Sequence, residues 1–427
     1  MRLPLIILVA ATTQAFKSSF INLGGVRHHV RDSGETDGPL AIFFHGFAGS
    51  AASFEDVAPL LAAKNVRCIG VDRVAFGLTE RPAPASLPAP PKLPGSATLA
   101  ASLEGGGGPQ YLAGGLLPEA RAAIASGLRR PETLAPSLPW TLAGFRGDPY
   151  APEFQLKALS TLLRRRLAPR ERDVYVIGHS AGGPYALRAC SDLVLPRGHA
   201  VKGCALIAPA VLDPREDPEA YADFDAPPLL DLPDALPESL RNRAETEARN
   251  AAFGTLLALP DAFALPTARR IADDRNFTEA VLGQMHPRMG APEHEKTYVP
   301  ASYSKFNRRA GVRKRHQRDS SHRIRRCVAK YTEPLELEAW DVGLLRHYRA
   351  ERASEAETGR ALIERAKGSA RFLTVTGDVD RIVPASATAT VADLLGAEAR
   401  TIADTGHLPL DERPQEVADV LLEFISS

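Results

Sequence analysis

The chain alternates short, fully apolar runs with segments whose apolar residues recur at helical spacing. The runs Leu40–Phe44, Val66–Val71 and Val174–Ile177 predict strands that are buried on both faces of a mostly parallel sheet. Two short strands are expected within residues 20–30, turning at Gly24 and Gly25, and further strands at 200–208, 371–376 and 399–403. Helices are expected from about residue 53, from 149–154 to about 167, and at 184–190, 333–367, 385–395 and the C-terminus. This alternation predicts an α/β fold with helices on both faces of the sheet.

The alternation breaks twice, and the breaks divide the chain. Residues 82–139 are rich in Pro, Gly and Ala, with six prolines between 82 and 94 and a glycine quartet at 105–108, which predicts a mostly irregular insertion. Residues 213–331 carry no strand pattern and predict a helical cap that is inserted after the strand at 200–208. The α/β core is therefore expected in three pieces, 16–81, 140–212 and 332–427.

A Gly-x-Ser-x-Gly turn lies between a predicted strand and a predicted helix. Gly178 and Gly182 flank Ser180 and lack the Cβ atoms that a sharp strand-to-helix turn would not accommodate. Such a turn would expose the Ser180 hydroxyl at the carboxyl edge of the sheet, above a helix N-terminus that favours negative charge. A plain glycine-rich turn is the alternative, but the flanking elements favour a nucleophile.

A serine nucleophile needs a base, and the base needs an acid to orient it. His407 follows the last predicted strand on a Gly turn and is the candidate base, because an imidazole titrates near neutral pH. Asp380 lies a few residues past the strand at 371–376 and is the favoured acid. Asp378, Asp213 and Asp404 are its rivals, and Asp378 also suits the role of a turn aspartate.

The developing oxyanion of an acyl-transfer reaction needs two N–H donors. The residue after the nucleophile, Ala181, supplies one backbone N–H. The second is expected from Phe47, which follows the Leu40–Phe44 strand and the structural pair His45 and Gly46. We interpret His45 as an anchor for this loop rather than as a catalyst.

Composition limits the function classes. The chain has 427 residues, is 44% hydrophobic and has a net charge of +1, so nothing in its charge favours nucleic-acid binding. Its four cysteines, Cys68, Cys190, Cys204 and Cys327, lack metal-ligand spacing and are interpreted as thiols rather than a disulfide framework. We expect no metal and no organic cofactor.

The N-terminus predicts a targeting segment. Arg2 precedes the apolar run Leu3–Ala11 and a small-residue cleavage site after Ala15, which is typical of a signal peptide over residues 1–15 and of entry into the secretory pathway. Ala15 followed by Phe16 also resembles the bipartite presequences of algae with complex plastids, which leaves a plastid as the alternative. A basic stretch, Arg313–Arg326, would suit a membrane surface or a solvated loop.

Together these motifs resemble the α/β-hydrolase superfamily, in its cap-bearing branch of esterases, C–C hydrolases, cofactor-free haloperoxidases and epoxide hydrolases. The resemblance looks closest to plant and algal chloroplast-type members, although Val74 stands where those members carry proline. The residues that carry it are His45–Phe47, Asp72–Thr79, Gly178–Gly183, Gly377–Pro384 and Gly406–His407.

The resemblance implies an α/β-hydrolase fold and a Ser180, Asp380, His407 triad that acts through an acyl-enzyme. It implies a hydrolase of carboxylic esters, thioesters or related acyl bonds. We expect a small-molecule, apolar acyl substrate. Epoxide hydrolases and haloalkane dehalogenases carry aspartate at the position of Ser180, so their chemistry is not expected. A non-hydrolytic small-molecule binder, an acyltransferase, a C–C hydrolase and a cofactor-free haloperoxidase remain alternatives on the same residues.

Overall fold

The computed structural model describes most of the predicted core. The described residues are 16–82, 148–167, 172–214, 217–221, 259, 261, 264–266, 330–331, 334, 337–353 and 358–427. The predicted signal peptide, nearly all of the insertion and of the cap, the basic stretch and Cys327 lie outside these residues and stay predictions.

The strands form one eight-stranded sheet that is mostly parallel. In chain order they are β1 (Lys17–Leu23), β2 (Val26–Asp32), β3 (Leu40–Phe44), β4 (Arg67–Val71), β5 (Arg172–His179), β6 (His199–Ile207), β7 (Arg371–Gly377) and β8 (Glu398–Ile402). Their order across the sheet is β1-β2-β4-β3-β5-β6-β7-β8. The first two strands pair antiparallel, as do β2 and β4, and all other pairs are parallel. The predicted α/β class is confirmed.

Helices cover both faces of this sheet. They are α1 (Ala58–Ala62), α2 (Pro152–Arg166), α3 (Gly183–Asp192), α4 (Trp340–Ala353), α5 (Gly359–Ala366), α6 (Ala385–Leu395), α7 (Pro409–Glu412) and α8 (Pro414–Ser426). Short 3-10 segments span Ala51–Phe54, Ser180–Gly182 and Pro218–Tyr221. Among the described helices, none is both long and apolar enough to cross a membrane.

Burial on both faces explains why the central strands are apolar throughout. Leu40 and Ile42 of β3 face the core under α2, α3, α5 and α6, whereas Ala41 and Phe43 face the core under α1 and α8. The side chains of β5 alternate in the same way, because successive residues of a strand point to opposite faces. Register then pairs Phe44 with Gly178, so the loop after β3 starts beside the end of β5.

One predicted helix is divided in the structure. The helix expected from about residue 53 is a 3-10 turn at Ala51–Phe54 and a separate helix, α1, that begins at Ala58. Pro59 at the start of α1 lacks a backbone N–H and cannot donate a helical hydrogen bond to the preceding turn, which explains the interruption. Similarly, the helix expected over 333–367 is described as α4 and α5.

The described cysteines are free thiols. Cys68 and Cys204 are buried and Cys190 is partly buried. Burial raises the pKa of the Cys68 thiol, so this group stays protonated and unreactive at neutral pH.

Candidate active site

The turn between β5 and α3 holds its serine in a strained conformation. The Ser180 φ angle is 51°, in the left-handed region that non-glycine residues rarely occupy. An added Cβ at Gly178 would lie 2.6 Å from the carbonyl oxygen of Gly182, and one at Gly182 would lie 2.1 Å from the carbonyl oxygen of Phe44. Only glycine fits at both positions, so the two glycines let the chain turn sharply at Ser180.

The loop after β3 packs directly against this turn. An added Cβ at Gly46 would lie 3.0 Å from the Ser180 Cβ and 3.1 Å from Nδ1 of His179. Gly46 therefore approaches the nucleophile candidate so closely that even a methyl group would crowd it. This proximity is the arrangement that an oxyanion donor in the loop would need.

The structure brings the three predicted catalytic side chains together. Oγ of Ser180 lies 2.9 Å from Nε2 of His407, and Nδ1 of the same ring lies 2.9 Å from Oδ2 of Asp380. Ser180 and Asp380 are each 7% exposed, and His407 is 1% exposed. They follow β5, β7 and β8 at the carboxyl edge of the sheet, which is where open α/β sheets place ligands.

Hydrogen bonds to Asp380 determine which His407 nitrogen carries the proton. Oδ1 of Asp380 accepts the backbone N–H groups of Ile382 at 2.8 Å and Val383 at 3.0 Å. An ionised carboxylate can only accept, so Oδ2 accepts the Nδ1–H of His407. In the neutral imidazole, Nε2 of His407 is then the nitrogen without a proton and can accept the Ser180 hydroxyl proton.

The rival aspartates have other surroundings. Oδ1 of Asp378 accepts the backbone N–H of Thr405 at 3.2 Å. Burial and then the carboxylates of Asp213 and Asp217 raise the pKa of Tyr221, so Asp213 lies near that phenol. Asp404 is exposed. Asp380 is the member of the predicted set whose carboxylate contacts the His407 ring.

His45 and Arg73 hold the loop that precedes Phe47. Nδ1 of His45 donates to the Gly46 carbonyl at 2.9 Å, and Nε2 accepts the Arg73 backbone N–H at 3.0 Å. Both ring nitrogens are thus engaged with backbone, and burial lowers the pKa of His45 to about 3. Nη2 of Arg73 donates to the carbonyls of His45 at 3.1 Å and Gly46 at 3.2 Å. Because N–H and C=O point in opposite directions in a trans peptide, the Phe47 N–H points away from Arg73.

His179 joins the turn that carries Ser180 to the histidine loop, which is the loop between β8 and α7 that carries His407. Its Nε2 donates to the backbone carbonyl of His407 at 2.8 Å. Burial, followed by the neighbouring His407 ring, lowers the pKa of His179 to about 4. His179 is therefore neutral at physiological pH and does not oppose formation of an imidazolium at His407.

Two further groups at this edge were not identified from the sequence. Arg73 lies in a motif noted only for its resemblance, and its guanidinium is stacked between the rings of Phe76 and Tyr185 at 4.6 and 4.5 Å. Glu412 accepts the backbone N–H groups of Gly406 and Leu408 on either side of His407. The sequence places Glu412 only five residues after His407, which could have indicated a contact with the histidine loop. An acidic residue near a helix start is usually solvent-exposed, so this position alone did not predict the contact.

No group of three or more His, Cys, Asp or Glu side chains that could hold a metal ion occurs in the part of the chain that the structure describes. The arrangement found there is instead suited to proton transfer between a hydroxyl and an imidazole.

Comparisons with known proteins agree with the fold. A family model described as alpha/beta hydrolase fold matches residues 39–414. No curated protein sequence matches the chain significantly. Similar solved structures include Cfl2 from Burkholderia cenocepacia, with 18% identity, a TM-score of 0.51 and coverage of 96% of this chain and 95% of that chain.

Two further similar structures belong to enzymes. One is the haloalkane dehalogenase DbeA from Bradyrhizobium elkani, with 14% identity, a TM-score of 0.52 and coverage of 96% of this chain and 97% of that one. The other is the epoxide hydrolase CorEH, with 14% identity, a TM-score of 0.50 and coverage of 96% and 98%. At these identities the similarity shows the fold alone.

Proposed function

Because the chain belongs to the α/β-hydrolase fold family, we propose that it is a serine hydrolase that cleaves a carboxylic ester, thioester or related acyl bond. The observation that carries the proposal is the continuous contact from Ser180 Oγ through His407 to Asp380, with 2.9 Å at each step. A serine hydroxyl is a poor nucleophile at neutral pH, and this contact supplies the base that activates it.

In the acylation step, Ser180 Oγ attacks the carbonyl carbon while Nε2 of His407 takes its proton. Asp380 stabilises the imidazolium that forms, and neutral His179 adds no opposing charge. The backbone N–H groups of Phe47 and Ala181 stabilise the oxyanion of the tetrahedral intermediate. His407 then gives the proton to the leaving alcohol or thiol, and the carbonyl re-forms as the Ser180 acyl-enzyme.

In the deacylation step, a water molecule donates its proton to Nε2 of His407 and attacks the acyl carbon. The same two N–H groups stabilise the second oxyanion. The proton returns to Ser180 Oγ as the carboxylic acid leaves, so the enzyme is regenerated without any external reagent.

An apolar acyl group is the substrate class that the rim of the site favours. The Phe47 side chain is 42% exposed, although its backbone N–H is the proposed oxyanion donor. It packs edge-on against Phe76 at 6.3 Å and is tilted against Tyr348 of α4 at 5.8 Å between ring centroids. The exposed Phe47 ring, supported by the other two, offers an apolar surface beside the reacting carbonyl.

Dehalogenation and epoxide opening are not part of the proposal, although DbeA and CorEH share the fold. Haloalkane dehalogenases and epoxide hydrolases of this superfamily attack with an aspartate carboxylate and form an alkyl ester that water can hydrolyse. A Ser180 alkoxide would form an ether with an alkyl halide or epoxide, and an ether has no carbonyl for water to attack. Ser180 therefore favours acyl substrates.

The experiment is active-site labelling followed by turnover. The mature protein is treated with a fluorophosphonate probe and then assayed on p-nitrophenyl esters of increasing acyl-chain length. We expect labelling and turnover in the wild type and neither in Ser180→Ala. Ser191→Ala at the exposed end of α3 is the matched control and should behave like wild type. Persistent labelling of Ser180→Ala would refute the assignment, and labelling without ester turnover would favour a binder or an acyltransferase.

A further inference from the structure

The short helix α7 carries two buried carboxylates and lies directly after the histidine loop. Asp411 is 4% exposed and Glu412 is 8% exposed. Acidic side chains are rarely this buried unless they are paired or hydrogen-bonded, so each carboxylate must have specific partners. The partners of the two are different, and together they connect distant parts of the chain.

Glu412 binds the backbone on both sides of His407. Its Oε1 accepts the N–H of Gly406 at 3.0 Å and the N–H of Leu408 at 3.3 Å. Hydrogen bonds to an ionised acceptor are stronger than neutral ones. The direction of the His407 side chain therefore depends on where α7 holds this carboxylate.

Asp411 binds the segment that precedes α4. Its Oδ1 lies 2.7 Å from Nζ of Lys330, and its Oδ2 accepts the Tyr331 hydroxyl at 3.0 Å. Lys330 and Asp411 are 81 residues apart in sequence. Both are buried, so their ion pair is shielded from solvent screening.

Lys330 also binds the other side of the site. Its Nζ lies 2.9 Å from Oδ2 of Asp56 and 3.3 Å from Oε1 of Glu55. These residues precede α1 and follow the loop that contains Phe47, which we call the oxyanion loop. The Lys330 ammonium group thus joins the segment after the oxyanion loop to α7, the helix that holds the histidine loop.

The charges in this cluster depend on one another. Burial alone would lower the pKa of Lys330, but the three surrounding carboxylates, Asp411 first, raise it above its ordinary value. Burial raises the pKa of Asp411, and Lys330 and Tyr331 oppose that effect. Among the described residues Lys330 is the cation that contacts Asp411. Without it, burial would favour protonation of the Asp411 carboxylate or its movement toward solvent.

We propose that Lys330 is a positioning residue for the proposed hydrolysis: through Asp411 and α7 it sets the position of the His407 loop relative to the oxyanion loop. This inference rests on the proposed function for its effect on rate. A displacement of His407 by a fraction of an ångström lengthens the contact between Nε2 and Ser180 Oγ. It should lower kcat and leave substrate binding nearly unchanged.

The test compares Lys330→Met with Lys330→Arg and with Lys64→Met, an exposed lysine just after α1. Assays are run at a temperature where circular dichroism shows every variant folded. We expect Lys330→Met to lower kcat roughly 10- to 100-fold with little change in KM. Lys330→Arg keeps the charge and should retain more of kcat, and Lys64→Met should match wild type.

Combining Lys330→Met with Glu412→Gln tests whether Lys330 acts on His407 through α7. If Lys330 acts through α7, the double variant loses less kcat than the product of the two single losses, because both changes disturb the same hydrogen bonds. Independent, multiplicative losses would show that Lys330 affects the rate by another path and would overturn the proposal.

Amide hydrogen exchange gives a readout that does not depend on catalysis. Exchange in peptides that cover residues 405–408 should be faster in Lys330→Met than in wild type, because the Gly406 and Leu408 N–H groups lose a fixed acceptor. Unchanged exchange and unchanged kcat would overturn the proposal. Faster exchange in a protein whose wild type hydrolyses no ester would instead show that the positioning is correct and the proposed function is wrong.

Discussion

The turn that carries Ser180 and the loop that carries His407 are held by different forces. The serine turn is fixed by close packing of backbone, since Gly178 and Gly182 leave no room for a Cβ atom. The histidine loop is fixed by charged side chains, since Asp378 accepts the N–H of Thr405 and Glu412 accepts two neighbouring N–H groups. Steric exclusion thus positions the proposed nucleophile, and charged hydrogen bonds position the proposed base.

This difference has a consequence for how each group tolerates change. Backbone packing allows almost no substitution at the glycines, but it needs no particular charge state. Charged hydrogen bonds allow similar side chains to substitute, but they depend on partners from distant segments such as Lys330, which lies 81 residues from Asp411.

The largest effect is expected at the acid. Asp380→Asn should lower kcat by about 10⁴, because an amide can donate to Nδ1 of His407 and favour the tautomer whose Nε2 is protonated. The amide oxygen can still accept the N–H groups of Ile382 and Val383, so the fold should be kept. The measurement is kcat on the best ester of the chain-length series, together with a thermal melt.

Asp378→Asn is the matched control for the acid. Its amide oxygen can still accept the N–H of Thr405, so kcat should stay within about tenfold of wild type, since one neutral hydrogen bond replaces a charged one. A greater loss in Asp378→Asn than in Asp380→Asn would contradict the assignment of Asp380 as the acid.

The next largest effect is expected at the serine turn. Gly182→Ala would place a Cβ 2.1 Å from the Phe44 carbonyl oxygen and 2.6 Å from its carbon, and these backbone atoms cannot move without shifting β3. We expect the free energy of unfolding to fall by roughly 3 kcal/mol or more. Urea denaturation measures the change.

Gly368→Ala separates crowding from backbone strain. Gly368 has a φ of 77° but nothing within 4 Å of an added Cβ, so alanine there should cost only about 1–2 kcal/mol for the left-handed conformation. Gly182 has an ordinary right-handed φ of -79°, so the loss at residue 182 reports crowding without backbone strain. A loss at residue 182 no larger than that at residue 368 would mean that crowding against Phe44 costs much less than expected.

The serine turn was predictable from sequence because its determinants are local. Gly178, Ser180 and Gly182 lie within five residues, after the apolar strand that became β5 and before the helix that became α3. The continuous apolar run Leu40–Phe44 likewise matches β3, since burial on both faces leaves no polar position. Patterns that are complete within one segment could be recognised in the sequence.

The supports of the histidine loop were not predictable because their partners are distant. Lys330 follows a segment with no periodic pattern, and nothing near it indicates that it binds Asp56 and Asp411. Sheet order was hidden for the same reason: β4 lies between β2 and β3, and no single segment specifies this arrangement. Pairings between distant segments require the three-dimensional structure.

A further effect concerns pH and the serine side of the site. His45 and His179 are buried there, and burial lowers their pKa values to about 3 and about 4. Because these values lie below the unfolded value of about 6.5, the unfolded chain binds protons first as pH falls. Their contribution to stability is complete above about pH 6.5 and is lost progressively as pH falls toward the folded pKa values. Each histidine should cost about 2 kcal/mol between pH 6.5 and pH 5.

Urea denaturation from pH 7.5 to pH 5 measures this slope, and His179→Gln tests its origin. Glutamine keeps an N–H that can reach the His407 carbonyl, which now accepts from Nε2 of His179 at 2.8 Å, but it cannot take up a proton. The unfolding free energy of the variant should therefore fall less steeply with falling pH. The slope should be smaller by about the contribution of one proton. A slope equal to that of wild type would mean that His179 is protonated in the folded protein. In that case the packing around Ser180 would tolerate a charge beside His407, and the contrast with the charged supports of the histidine loop would not hold.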